Sequence, residues 1–300
     1  MIERLRIPIC ATLLALTLTT TALAQAAAPD SKVVEIYGQK IYYFEAGSSG
    51  HPVILLHGLG GDATNWAQTI LALASKYHVY APDQVGFGQS DKPIVNYRVA
   101  TLVEFLDQFY QKLGIEKAIL VGHSFGGWTA AAFAIAHPQK VDKLALVSAA
   151  GYSAKGWVRG ETLKDLYPAF NPSTTADMKR LFELLFYDKA MSADAFVVPA
   201  LTRKLKTGDG YTINSLIDSI LRGDDFIDDK VKSIKAPTLV IWGREDRLNP
   251  LAMGEAYARD ISGAQKVIIE QCGHMPQIEK APAFNSALLK FLAGEPATKN

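Results

Sequence analysis

Residues 120–130 read LVGHSFGGWTA, one serine between glycines where an apolar run gives way to an alanine-rich one. The stretch closes the apolar run KAILVGH (117–123), short and nearly continuous, as expected of a strand buried on both faces. It opens WTAAAFAIAHP, small and apolar almost all round, the pattern of a helix packed closely on its neighbours and stopped at Pro138. Between the two, Gly122, Ser124 and Gly126 spell G-x-S-x-G at a strand-to-helix junction. A turn that sharp has no room for side chains two before and two after the serine, hence the glycines. It lifts Ser124 above the sheet and aims the unpaired N–H groups of a helix start at whatever binds there.

On both sides of this stretch the same run type recurs, at PVILLHG (52–58), HVYAPD (78–83), KLALVSA (143–149), APTLVIWG (236–243) and QKVIIE (265–270). Amphipathic or small-residue helical segments alternate with these runs; in YRVATLVEFLDQFYQKLGI, Val99, Leu102, Val103, Leu106 and Phe109 recur at three- and four-residue steps. Strands alternating with helices predict an α/β fold with a mostly parallel sheet. Two β-rich runs at the front, KVVEIY (32–37) and KIYYFEA (40–46), are separated by Gly38-Gln39 and predict an opening hairpin. The alternation breaks between residues 151 and 230, where Met178, Leu181, Phe182 and Leu185 form one helical stripe and YTINSLIDSILRG a second amphipathic candidate. The expected organisation is therefore a core in two parts, 25–150 and 231–300, interrupted by a helical insertion at 151–230. The acidic DDFIDD (224–229) reads as a solvated edge of that insertion rather than a metal site.

Composition narrows the partners. With 31 basic and 30 acidic residues among 300, the chain has no charge bias toward nucleic acid or an anionic membrane, and a small molecule is the expected partner. The first residues carry Arg4 and Arg6, then an apolar segment through about Leu18, then Ala22, Ala24 and Ala26 in A-x-A spacing. That pattern predicts a signal peptide at 1–24 and an exported protein, periplasmic or extracellular. An uncleaved anchor is the alternative, but the segment is short and diluted with threonine, so no stable membrane span is expected after processing. Removal of the leader takes Cys10 with it and leaves Cys272 alone, which excludes an internal disulfide.

A serine hydroxyl is a weak nucleophile; it needs a base, and the base needs an orienting acid. Of six histidines, His51, His78 and His137 sit at loop or element ends, and His57 and His123 lie inside glycine turns where turn support is the usual role. His274 remains, in EQCGHMPQ just past the last strand, where the ligand-facing loops of open α/β sheets gather. VIWGREDRLNP places Asp246 after the preceding strand, with Glu245 as the reserve candidate. Ser124, Asp246 and His274 thus follow apolar runs in that chain order. LLHGLGG (55–61) supplies a glycine loop, so the N–H groups of Leu59 and Phe125 are the expected oxyanion donors. PDQVGFGQSD (82–91) lacks a lysine or helix start of P-loop type and reads as structural.

HGLGGDATNW, PDQVGFGQSDKP, GHSFGGWTA, GREDRLNP and CGHMP together make the chain similar to the α/β-hydrolases of the lipase, esterase and C–C hydrolase branch. The resemblance implies a helical cap over the sheet at 151–230, and no metal or organic cofactor. Serine at the elbow disfavours haloalkane dehalogenase and epoxide hydrolase activity, which use aspartate there. Hydrolases of meta-cleavage products usually carry tryptophan after the catalytic histidine, where this chain has Met275. The expectation is a carboxylic-ester hydrolase acting on small or medium hydrophobic esters through an acyl-enzyme, with Met178, Phe182 and Met275 lining the substrate pocket. A C–C bond or amide hydrolase with the same triad, and a non-catalytic ligand-binding protein on the same fold, are the alternatives.

Overall fold

The structure, a computed structural model, describes residues 29–153 and 167–296. The predicted leader and Cys10 lie outside these residues. Eight strands form one sheet: β1 (Asp30–Ile36), β2 (Gln39–Ala46), β3 (Pro52–Leu56), β4 (His78–Pro82), β5 (Ala118–His123), β6 (Val141–Val147), β7 (Thr238–Gly243) and β8 (Gln265–Ile269). Their spatial order is β1-β2-β4-β3-β5-β6-β7-β8. β1 pairs antiparallel with β2 and β2 with β4, and every other pair is parallel. The opening hairpin turns on Tyr37 and Gly38, both at positive φ, with Ile36 paired to Gln39. Its two turn residues are therefore one position earlier than the expected Gly38-Gln39.

Ten helices accompany the sheet among the described residues: α1 (Ala67–Leu73), α2 (Val99–Lys112), α3 (Phe125–Ala136), α4 (Tyr167–Phe170), α5 (Thr175–Leu185), α6 (Asp194–Thr207), α7 (Gly210–Arg222), α8 (Leu251–Asp260), α9 (Pro276–Glu279) and α10 (Ala281–Leu292). None is long and apolar enough to cross a membrane. The central strands read as continuous apolar runs because successive side chains go to opposite faces and both faces are covered. Val53, Leu55, Val121, Ala145 and Ile241 pack on one side with Trp66 and Phe284. Ile54, Leu56, Leu120, Leu144 and Val240 pack on the other with Phe109, Trp128 and Tyr257. Burying such side chains contributes about 1.5–3 kcal/mol each, so this double-sided core supports the strained turns at its carboxyl edge.

Helices α4–α7 all lie between β6 and β7 in the chain. Thr174 and Asp177 form a reciprocal capping box that starts α5, and Gly208 and Gly223 in left-handed conformation end α6 and α7. The acidic DDFIDD run does more than face water. Asp225 accepts from the Ala100 N–H through its carboxylate and from Trp128 Nε1 through its carbonyl, and Asp228 accepts from the Ser153 N–H and hydroxyl. The Asp225 bonds seat this run on α2 and α3, and the Asp228 bonds tie it to Ser153 near the start of the same segment.

Candidate active site

Because the central strands run parallel, the loops after β3, β5, β7 and β8 emerge along one edge of the sheet, where the predicted residues meet. Ser124 joins β5 to α3 at φ 53°, ψ −117°, a conformation that costs a non-glycine residue about 1–3 kcal/mol. Its backbone is held from both sides: its N–H donates to Val147 O at 2.9 Å, and its carbonyl accepts from Trp128 N at 3.1 Å and Ala150 N at 3.0 Å. The flanking glycines are obligatory on steric grounds. A Cβ on Gly122 would overlap the Gly126 carbonyl, and one on Gly126 would overlap the carbonyls of Leu56 and His57.

His274 and Asp246 are buried and joined, with Nδ1 at 2.8 Å from Asp246 Oδ2. An ionised carboxylate only accepts, so Nδ1 carries the proton and Nε2 presents its lone pair. Nε2 has no hydrogen-bond partner among the described residues, and His274 and Ser124 line the same cavity. The Ser124–His274 hydrogen bond is therefore open in this conformation, as is common before substrate binds. Asp246 Oδ1 accepts from the N–H groups of Leu248 (2.9 Å) and Asn249 (2.8 Å). Asn249 Nδ2 in turn donates to Ser148 O, which ties the acid's loop to the end of β6. Glu245 does not reach the imidazole: its carboxylate accepts from the Cys272 N–H at 2.9 Å.

Phe125 is the first residue of α3, so its N–H has no intrahelical acceptor, and the N–H of Leu59 has none among the described residues. Both residues line the cavity. The loop that carries Leu59 is braced by a network the sequence reading set aside as structural. His57 Nδ1 donates to Gly58 O at 2.8 Å, His57 Nε2 accepts from Gln84 N at 3.0 Å, and Gln84 Nε2 donates to His57 O at 2.7 Å. Buried Asp83 accepts from the N–H groups of Ala63 and Gln89, both at 2.7 Å. Burial pushes its carboxyl up from the ordinary carboxylate range.

The cavity has a volume of about 420 Å³, within the usual range for small-molecule sites. Met178, Leu181, Phe182 and Leu185, the predicted stripe, line it from α5, and Met275 lines it beside the histidine. Arg203 of α6 also lines it and was not singled out in the sequence. Its side chain is exposed, and its guanidinium makes one long hydrogen bond, to Thr64 Oγ1 at 3.4 Å, with no ion pair among the described residues. Cys272 lies beneath this surface, fully buried, its Sγ 3.7 Å from Gly273 O, and burial pushes its thiol well above the ordinary range. Among the described residues no cluster of acidic, histidine or cysteine side chains could hold a metal.

A family model described as the alpha/beta hydrolase fold matches residues 51–281. The chain belongs to that family. It is 33% identical over 263 residues to the 2-hydroxy-6-oxononadienedioate/2-hydroxy-6-oxononatrienedioate hydrolase of Cupriavidus pinatubonensis, covering 84% of this chain and 90% of that one. Among solved structures it is similar to a meta-cleavage product hydrolase, with a TM-score of 0.80, 31% identity, and coverage of 88% and 98%. It is also similar to a bacterial membrane phospholipase A, with a TM-score of 0.79, 28% identity, and coverage of 89% and 86%.

Proposed function

We propose that this protein is a serine hydrolase that cleaves a carbon–carbon bond beside a ketone in an open-chain keto acid. The observation that carries this reading is the composition of the cavity that holds Ser124 and His274: largely apolar, it has the exposed guanidinium of Arg203 among its lining residues, beside Asp62 and a Lys204 already paired with Asp209. A substrate with a carboxylate at one end and an acyl carbon at the other would complete that wall. The names of relatives at about one-third identity support the same choice over ester cleavage.

His274 Nε2 takes the Ser124 proton as Oγ adds to the ketone carbon, and Asp246 stabilises the imidazolium. The oxyanion rests on the N–H groups of Leu59 and Phe125, each such donor being worth about 10²–10³-fold in rate. As the tetrahedral adduct collapses, the bond to the neighbouring carbon breaks. Its electron pair passes into the conjugated keto-acid system, and the imidazolium returns a proton to that carbon. Water then attacks the acyl-serine with His274 again as base, releasing the carboxylic acid and restoring Ser124.

Ester hydrolysis is the second reading, and Met275 favours it, because the indole that meta-cleavage product hydrolases usually carry at that position is replaced by a flexible thioether. The phospholipase similarity points the same way. The deciding assay runs keto-dienoic acids beside p-nitrophenyl esters of graded length. Higher kcat/KM on the keto acids, with KM raised about tenfold or more by Arg203→Gln, is the expected result. Ester turnover insensitive to Arg203→Gln, with no keto-acid turnover, would establish the second reading, and neither turnover would indicate a binding protein. Export through the 1–24 leader is part of the proposal, and fractionation of cells expressing the C-terminally tagged chain tests it.

A further inference from the structure

His274 stands on the loop between β8 and α9, and the backbone of that loop is held by groups distant in sequence. Its carbonyl lies 2.8 Å from His123 Nε2, which donates to it. Its N–H donates at 2.7 Å to the carbonyl of Leu185, the last residue of α5. Gly273 is pressed against the same chain reversal: a Cβ there would sit 2.5 Å from Leu185 O and 2.8 Å from Tyr187 N. One side chain joins the two segments. Glu279 Oε2 accepts from the Gly273 N–H at 2.6 Å, and Oε1 accepts from the Asp188 N–H at 2.7 Å.

From this geometry we infer that Glu279 is a positioning residue: its carboxylate locks the His274 loop to the connection between α5 and α6, so the base reaches Ser124 only when the insertion is seated. The inference rests on the reading of Ser124 and His274 as nucleophile and base. Its physical basis is that a carboxylate bridging two backbone N–H groups makes two charge-assisted bonds of fixed direction. Without it the residue before His274 keeps an unpaired N–H, and the insertion loses its second tie to the loop. Leu181, Phe182 and Leu185 line the cavity from the same helix whose last carbonyl holds the His274 N–H. A substrate packed on α5 therefore bears on the element that places the base. Displacing reacting groups by about 1 Å costs on the order of 10²-fold in rate, which sets the scale of the effect.

The test uses the full chain and four variants, with kcat, KM, melting temperature and the rate of fluorophosphonate labelling measured for each, and Ser124→Ala as a fifth variant for labelling alone. Glu279→Ala is expected to lower kcat by about 30–100-fold, with labelling falling in step and KM within about threefold, and Glu279→Gln, which keeps one acceptor, is expected to fall between. Asp188→Pro removes the N–H on the insertion's side of the bridge together with the side-chain bond to Ala190 N, and the native φ of −70° suits proline. Asp188→Ala retains that N–H and loses only the side-chain bond to Ala190 N. The proline variant should lose roughly tenfold in kcat and the alanine variant under about twofold. Equal effects of the two Asp188 variants, a rise in KM alone, or a lowered melting temperature with kcat and labelling unchanged would overturn the inference. If Ser124→Ala still labels, the reading of the site has failed. If it does not label but Glu279→Ala labels at the native rate, only the role of Glu279 has failed.

Discussion

Replacing Asp246 by asparagine changes one atom and should cost about 10⁴-fold in kcat, equivalent to about 5.5 kcal/mol. The two carboxylate oxygens have different surroundings. Oδ1 faces two backbone donors, the N–H groups of Leu248 and Asn249, while Oδ2 faces His274 Nδ1. An asparagine can keep its carbonyl on the two N–H groups or turn it to the imidazole. Turning it would set its NH2 against both backbone donors and leave them unpaired in a buried loop, at about 1–3 kcal/mol each. The carbonyl therefore stays, and the NH2 points at His274 Nδ1. The imidazole answers by moving its proton to Nε2, where it can no longer accept one from Ser124. Binding groups are untouched, so KM should change little, and the near-isosteric exchange should leave the melting temperature close to native.

Fluorophosphonate labelling is the better assay, because it reads the nucleophilicity of Ser124 whichever substrate is native; kcat on the best substrate provides the second reading. A loss under about 100-fold in both would refute the tautomer argument. So would a larger loss from Glu245→Gln, whose carboxylate holds the Cys272 N–H rather than the imidazole.

Ser124→Ala should abolish turnover and labelling, whereas Cys272→Ser should retain most of both, since the thiol is buried away from the cavity and held protonated. Phe182→Ala should shift preference toward longer acyl groups by roughly tenfold in relative kcat/KM while short substrates turn over nearly as before; an equal loss on all lengths with a large drop in melting temperature would show a packing role instead. Acid stability should carry the mark of His123. Burial, reinforced by the neighbouring His274, holds its imidazole well below the ordinary range. The unfolded chain therefore binds the extra proton, and the stability present above about pH 6.5 is lost as pH falls below it, by up to about 1.4 kcal/mol per pH unit. In melting curves from pH 7 to 5, His123→Gln should show a shallower slope than the native chain, and identical slopes would refute the assignment.

The parts of this molecule that were legible in the sequence are those whose causes are local. A strand covered on both faces must be apolar at every position, so β5 announces itself in AILVG. A turn in which Cβ atoms at two places would strike backbone carbonyls must have glycine at both, so Gly122 and Gly126 frame Ser124. The α5 stripe was visible as periodicity, but its destination was not, because an apolar face reads alike whether it covers core or substrate. What stayed hidden depends on contacts between segments far apart in the chain. GREDRLNP ranks Asp246 ahead of Glu245 only by side-chain length and place in the loop; the choice is made by the following loop, where His274 Nδ1 meets Asp246 while Glu245 takes the Cys272 N–H. Gln84 and Glu279 carry no pattern at all, being single polar residues whose partners lie at His57, Gly273 and Asp188. The asymmetry has a mechanistic root. Ser124 is presented by a strained turn that its own neighbours and the end of β6 enforce, whereas His274 rides on an irregular loop that cannot hold a ring in place by itself. Its position must come from His123, Asp246, Glu279 and the end of α5, four supports contributed by four parts of the chain. Five residues therefore suffice to point to Ser124, whereas His274 can be named from its place after the last strand but is held in position only by the fold that surrounds it.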